Sequence, residues 1–326
     1  MEEIPADGVR AAAGAAALWG GAPGVDAPAV LEAEGLALVA EPPAAWPAHL
    51  PAPRRAELAV HAAAVAAWLA AHRARRSAPV VLAVNGGQGS GKSTLAALVA
   101  AQLEGRRGLR AAVLSLDDLY LPRAEREALA RTVHPLFATR GVPGTHDPVL
   151  GLRVLEALTD GAGTVAVPAF DKARDDRLPE AAWPRIEAPV DVVLFEGWCV
   201  GAHPEPEAAL DAPVNALERE EDPDGRWRRA VNAALAGPYR PLFDRADALL
   251  VLRVPDFDAV RRWREEQERE LRSRTGAGMD PQAVQRFVDH YERLTRHMLA
   301  TLPERAELCL ELAPDHGIAR VRAAAP

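Results

Sequence analysis

Asn85-Gly86-Gly87-Gln88-Gly89-Ser90-Gly91-Lys92-Ser93-Thr94 is the stretch that decides the fold, because it joins two segments of different character. Residues 79–84 ahead of it form a short continuous apolar run, the pattern of a strand buried on both faces. Residues 92–103 behind it are rich in alanine and leucine and read as a helix. From Gly86 the loop fits G-x-x-x-x-G-K-[ST] in full. Glycines at this spacing let successive backbone N–H groups turn toward phosphate oxygens, and the helix N-terminus adds partial positive charge. The reading wraps Gly86, Gly87, Gln88, Gly89, Ser90, Gly91, Lys92, Ser93 and Thr94 around the phosphates of ATP. Lys92 would reach the β- and γ-phosphates, and Ser93 would hold Mg²⁺. Such a loop names a nucleotide, not a reaction.

Outward from the loop, apolar runs and helical periods alternate. Further strands are expected at 111–116, 164–168, 190–195, 248–254 and 307–312. Helices are expected at 54–75, 123–131, 149–158, 257–272 and 281–299, the first with Leu58, Val65, Trp68 and Leu69 along one side. Strands separated by helices argue for an α/β fold, a three-layer sandwich with a largely parallel sheet of the P-loop NTPase type. Residues 1–78, rich in Ala, Pro and Gly, read as an N-terminal helical extension to a P-loop domain over 79–326. The charged run 218–224 reads as a solvated loop.

Composition excludes several classes. The 326 residues carry 38 basic and 46 acidic side chains, a net charge of −8 that argues against a nucleic-acid or membrane-surface partner. Two cysteines, Cys199 and Cys309, make neither a disulfide scaffold nor a metal-ligand spacing, and they suit a reducing compartment. Met1-Glu2-Glu3 is acidic where a signal peptide is basic. A soluble, cytoplasmic protein is expected. Of the 38 basic residues 36 are arginine, and only Lys92 and Lys172 are lysine. Coding bias accounts for the arginines. A lysine that persists beside them points to a confined place where a compact ammonium fits and a planar guanidinium is too wide.

Two strand ends add carboxylates. Ser115-Leu116-Asp117-Asp118-Leu119-Tyr120 closes the second expected strand, on the side of the sheet where ligands sit. One Asp can take a proton from an attacking hydroxyl while the other stands near Mg²⁺ or caps the next helix. Phe195-Glu196-Gly197 closes the strand at 190–195, and Glu196 is a candidate Mg²⁺ holder together with Ser93. The turn-rich segment from Arg140 to Asp147 would bring His146 and Asp147 to an acceptor, or serve as a plain surface connection. Lys172, Arg174 and Arg177 offer cations that an acidic acceptor would need, or form a solvated basic loop.

Taken in order, these blocks resemble the plant-type D-glycerate 3-kinase family, with its bacterial and fungal relatives, in the phosphoribulokinase/uridine kinase group. The resemblance rests on 85–94, 115–120, 140–147, 167–172, 194–198 and Arg262-Trp263-Arg264 with 276–279, and covers about residues 80–316. It implies a kinase that moves the γ-phosphoryl of ATP, with Mg²⁺, onto a hydroxyl of the small hydroxy acid D-glycerate to give 3-phosphoglycerate. By it Asp117 is the acceptor-activating base, with Lys92 and Glu196 as its catalytic companions. Asp118, Tyr120, Arg140, His146, Asp147, Lys172 and Arg177 become acceptor residues. The arginine-rich stretch 261–274 with Gly276-Ala277-Gly278 looks like a lid over about 261–280, with Arg264, Arg269 and Arg272 as candidate phosphate contacts. Leu119 and Ala169 depart from the family's common aromatic or basic residues, which bears on acceptor fit. Competing readings are a pantothenate, uridine or sugar phosphate kinase, or a regulatory P-loop ATPase. Uridine is disfavoured because aromatic residues make up only 5% of the chain, too few to expect a base-stacking clamp.

Overall fold

The computed structural model describes residues 4–44, 46–275 and 279–326. In chain order its helices and strands are α1 (Ala6–Ala17), α2 (Pro28–Ala40), α3 (Ala52–Ala74), β1 (Val80–Gly86), α4 (Lys92–Arg107), β2 (Ala111–Ser115), α5 (Arg123–Thr132) and α6 (Pro148–Asp160). Four short strands and a longer one follow as β3 (Gly163–Ala166), β4 (Phe170–Asp171), β5 (Asp176–Arg177), β6 (Arg185–Ala188) and β7 (Val192–Gly197). The chain continues through α7 (Ala216–Glu221), α8 (Arg226–Ala236), α9 (Arg240–Phe243), β8 (Ala248–Arg253), α10 (Phe257–Thr275), α11 (Pro281–Thr301), β9 (Leu308–Leu312) and β10 (Ile318–Ala323).

Six strands pair in the order β10-β9-β8-β1-β7-β2, all parallel except β10 at one edge. Alternate residues of β1 feed opposite cores: Val80, Leu82 and Val84 pack with α3 and α4, whereas Val81 and Ala83 pack with α6 and α11. Burial of both faces is why these strands read as unbroken apolar runs. The three layers expected from the sequence are present.

Helix α3 departs from the expected one-sided pattern. Residues 59–69 are buried all round, while Leu58 is only half-buried. The cause is a partial extra layer, since α1 and α2 pack on α3 in addition to α4 and the sheet. Small side chains permit the double packing; a side chain at Gly35 of α2 would collide with Val60. Inside this layer Trp19 Nε1 donates to His61 Nδ1 at 2.9 Å, and burial, helped by Arg54, lowers the His61 pKa to about 3. The last strand closes on the same helix: Trp68 Nε1 donates to the Ala324 carbonyl and Ile318 N to Glu57 Oε1, both at 2.9 Å.

Two other expectations are corrected, and one strand is added. The run at 164–168 does not join the main sheet; β3 pairs antiparallel with β6, because Gly163 and Thr164 are exposed and offer no second apolar face. Strand β10, with exposed Arg320 and buried Ile318, was not legible as a strand. The charged run 218–224 is a solvated loop only in part: residues 219–221, 223 and 224 are exposed, but α7 covers the run as far as Glu221, Glu218 is 1% exposed and Asp222 is fully buried. Glu218 accepts from Arg293 Nε and Nη2, each at 2.7 Å, and Asp222 pairs with Arg228 Nη1 at 3.0 Å while accepting the Trp227 N–H at 2.7 Å. Breaking a buried pair strands its partner charge. We expect Asp222→Ala to lower the unfolding free energy by about 3–5 kcal/mol, seen as a lower urea midpoint at unchanged slope. A loss below about 1 kcal/mol would mean that the pair behaves like an exposed one.

Candidate active site

The phosphate loop sits where β1 hands the chain to α4. Gly89 and Gly91 hold φ at +80° and +83°, in the left-handed region that glycine enters at no steric cost. A Cβ at Gly89 would also lie 3.2 Å from Gln267 Nε2 and 3.3 Å from Trp263 Cβ, so α10 rests directly on the loop. Gly91 caps α4, which begins at Lys92 and carries Ser93 and Thr94 in its first turn. Glu196 is brought alongside by strand register, opposite Val84 of β1 and Ser115 of β2. Its Oε1 accepts from Ser93 Oγ at 3.0 Å and from Ser115 Oγ at 2.7 Å. Its Oε2 is buried with no partner among the described residues.

After β2 the chain makes a 3₁₀ turn over Leu116–Leu119, capped by Ser115, whose Oγ accepts the Asp117 N–H. That turn separates the two aspartates. Asp117 accepts from the Tyr120 hydroxyl at 3.1 Å and from Lys172 Nζ at 2.8 Å. Burial pushes the Asp117 carboxyl up, but Lys172, with Lys92, outweighs it and holds the group below the usual carboxylate range. Asp118 instead accepts the Phe170 N–H at 3.0 Å, and burial raises its carboxyl pKa.

A cavity of about 240 Å³ gathers Gln88, Gly89, Lys92, Asp117, Tyr120, Arg140, His146, Lys172 and Arg264 on its wall. Arg140 is tied to Asp175 and lies over the Phe170 ring. Arg264 pairs with Glu268 and lies over the Phe287 ring. His146 stacks on Tyr120 with centroids 4.3 Å apart, and burial lowers its pKa to about 3, so the imidazole is neutral.

Several sequence candidates stand elsewhere. Asp118 is engaged with the backbone of β4, as above. Asp147 caps α6 through the Leu150 N–H, and Arg177 ties it to the Leu119 and Tyr120 carbonyls; neither is on the cavity wall. These three stand off the cavity wall: the two short carboxylates satisfy nearby backbone N–H groups first, and Arg177 spends its fork on Asp147 and two carbonyls. Arg269 and Arg272 are exposed and off the wall, Arg272 bonding the Met279 carbonyl. The lid glycines Gly276-Ala277-Gly278 lie outside the described residues. The wall also includes Trp198, Cys199, Gln267, Phe287 and Tyr291, which sequence reasoning missed. Helical spacing held a signal for some: Gln267 follows Arg264 by three residues, and Phe287 and Tyr291 are one turn apart.

No family model matches the chain. Over 254 residues, 73% of this chain and 88% of the relative, it is 36% identical to an uncharacterized kinase, mug58, of Schizosaccharomyces pombe. It is 33% identical over 234 residues to the chloroplastic D-glycerate 3-kinase of Arabidopsis thaliana, covering 69% of this chain and 48% of that one. The chain belongs to the D-glycerate 3-kinase family of P-loop kinases. The family fold is visible in the D-glycerate 3-kinase of Cryptococcus neoformans, which superposes with a TM-score of 0.65 at 24% identity, covering 80% of this kinase and 98% of the fungal chain. Like these relatives it is a kinase, an ATP-dependent phosphotransferase. Among its described residues no helix is long and apolar enough to cross a membrane.

Proposed function

We propose that this kinase transfers the γ-phosphoryl group of ATP to a hydroxyl of D-glycerate, giving 3-phosphoglycerate. The observation that carries the reading is one cavity shared by Lys92 of the phosphate loop, the Asp117 carboxylate and three more cations, Lys172, Arg140 and Arg264. A small hydroxy acid brings a carboxylate that must be paired once it leaves water, and a hydroxyl that must lose a proton. In the proposed step the acceptor oxygen bonds to the γ-phosphorus, the bond to the β–γ bridging oxygen breaks, and the hydroxyl proton passes to Asp117. Lys92 and Arg264 stabilise charge on the transferring group, with Arg264 as the lid residue. Lys172 and Arg140 pair the acceptor carboxylate. The Glu196 Oε2 left without a partner beside Ser93 suits a divalent cation, so Ser93 and Glu196 would hold Mg²⁺, which neutralises phosphate charge. We assign catalysis to residues 79–326, with a lid at about 261–280 and residues 1–78 as a helical extension, and place the kinase in the cytoplasm.

ADP release scored across D-glycerate, pantothenate, uridine and sugar phosphates tests the acceptor. D-glycerate should stimulate turnover well above the ATP-only background. Stimulation by pantothenate or uridine with none by glycerate would overturn the substrate and leave the kinase fold.

A further inference from the structure

His146 stands on the cavity wall, but the atom that sets its chemistry lies behind it. The Tyr239 hydroxyl accepts the backbone N–H groups of Gly144 at 2.9 Å and His146 at 3.2 Å, and lies 2.7 Å from His146 Nδ1. A phenol oxygen has two acceptor positions and one hydrogen. Both acceptor positions are taken, so the hydrogen goes to Nδ1, which must be bare. A neutral imidazole then carries its only proton on Nε2. The ring is neutral because burial opposes its charged form. Among the described residues Nε2 has no protein partner, and the ring lines the cavity, whereas Tyr239 is fully buried outside the lining.

We infer that Tyr239 is a positioning residue that presets His146 as a neutral Nε2–H donor, and that this donor selects acceptors carrying a second, non-transferring hydroxyl next to the carboxylate. The inference rests on the hydroxy-acid reading above. Charge matching assigns the contact: Lys172 and Arg140 answer the carboxylate, and a neutral donor matches an uncharged oxygen. An acceptor lacking that hydroxyl leaves Nε2–H without a partner once water is excluded, which a site built around a hydrogen bond penalises. The substrate class is thus 2,3-dihydroxy acids ahead of simple 3-hydroxy acids.

The test compares kcat/KM for D-glycerate and 3-hydroxypropanoate in the wild type and in Tyr239→Phe, His146→Asn and His146→Gln, with KM for ATP measured alongside. The wild type should prefer glycerate by about tenfold or more. Tyr239→Phe and His146→Asn should shrink that preference to about threefold or less with KM for ATP within about twofold. His146→Gln, whose amide nitrogen reaches the Nε2 position, should keep most of it. A purely structural role would slow both acceptors equally and leave their ratio alone. If Tyr239→Phe does not fold, the Asn and Gln pair decides. An absent wild-type preference, or one unchanged in the variants, overturns the inference while glycerate kinase activity stands. A wild type inactive on glycerate overturns both readings.

Discussion

Replacing Asp117 by asparagine is expected to lower kcat by about 10²–10⁴-fold while ATP still binds. Asparagine keeps the size and can still accept the Tyr120 hydroxyl, which lies 3.1 Å from Oδ1. It loses the basic oxygen and the charge that meets Lys172 Nζ at 2.8 Å. Asp118→Asn makes the internal control, because Asp118 spends its oxygen on the Phe170 N–H and is off the cavity wall. A large loss in Asp118→Asn with little in Asp117→Asn would reverse the assignment. The pH profile adds a second reading of the same group. Burial raises the Asp117 pKa, but Lys172 leads the charges that bring it below the usual carboxylate range. The basic form therefore persists through neutral and mildly acidic pH and is lost only as pH falls through that lowered value. Lys172→Met removes the leading opposition to burial, so the acid limb of kcat/KM should move to higher pH.

Glu196→Gln is the other severe change, with kcat expected to fall by about 10²–10³-fold and the Mg²⁺ concentration for half-maximal rate to rise by about 10–100-fold. The amide keeps an oxygen to accept from Ser93 and Ser115 Oγ, now 3.0 Å and 2.7 Å from Oε1. Its NH₂ replaces the partnerless Oε2, putting a donor where a cation would sit. Titrating Mg²⁺ in a steady-state assay separates the two effects. An unchanged rate and metal requirement would reduce Glu196 to a hub between two serines.

The strands that read as unbroken apolar runs, 79–84 and 190–195, were legible because a parallel sheet covered on both faces leaves no room for polar alternation. Segments whose surroundings come from far away in sequence were not. Glu218 looks like surface charge until Arg293 arrives from α11, 75 residues later in the chain. Helix α3 looks one-sided until α1 and α2 cover it. The phosphate loop was legible residue by residue, since its chemistry depends on local backbone geometry. The acceptor wall was legible by segment only. The stretch from Arg140 to Asp147 was marked, yet its local pattern does not say that His146 faces the cavity while Asp147 turns back to cap α6. Tyr239 carried no signal, because its role consists of contacts with a loop 93 residues away.

The junction between α3 and β10 sets a timetable for biosynthesis. Trp68 waits for the Ala324 carbonyl, 256 residues later in the chain. At the usual 5–20 residues per second, that interval is roughly 10–50 s. A long alanine-rich helix whose flanks are all meant for burial must pass that time with part of its surface uncovered, on a chain that is still being made. Helices α1 and α2 precede α3 and can shield one side early, whereas the side that meets the sheet is covered only as later strands are added. Strand β10, with Ala324 behind it, thus acts as the clasp that shuts this part of the fold.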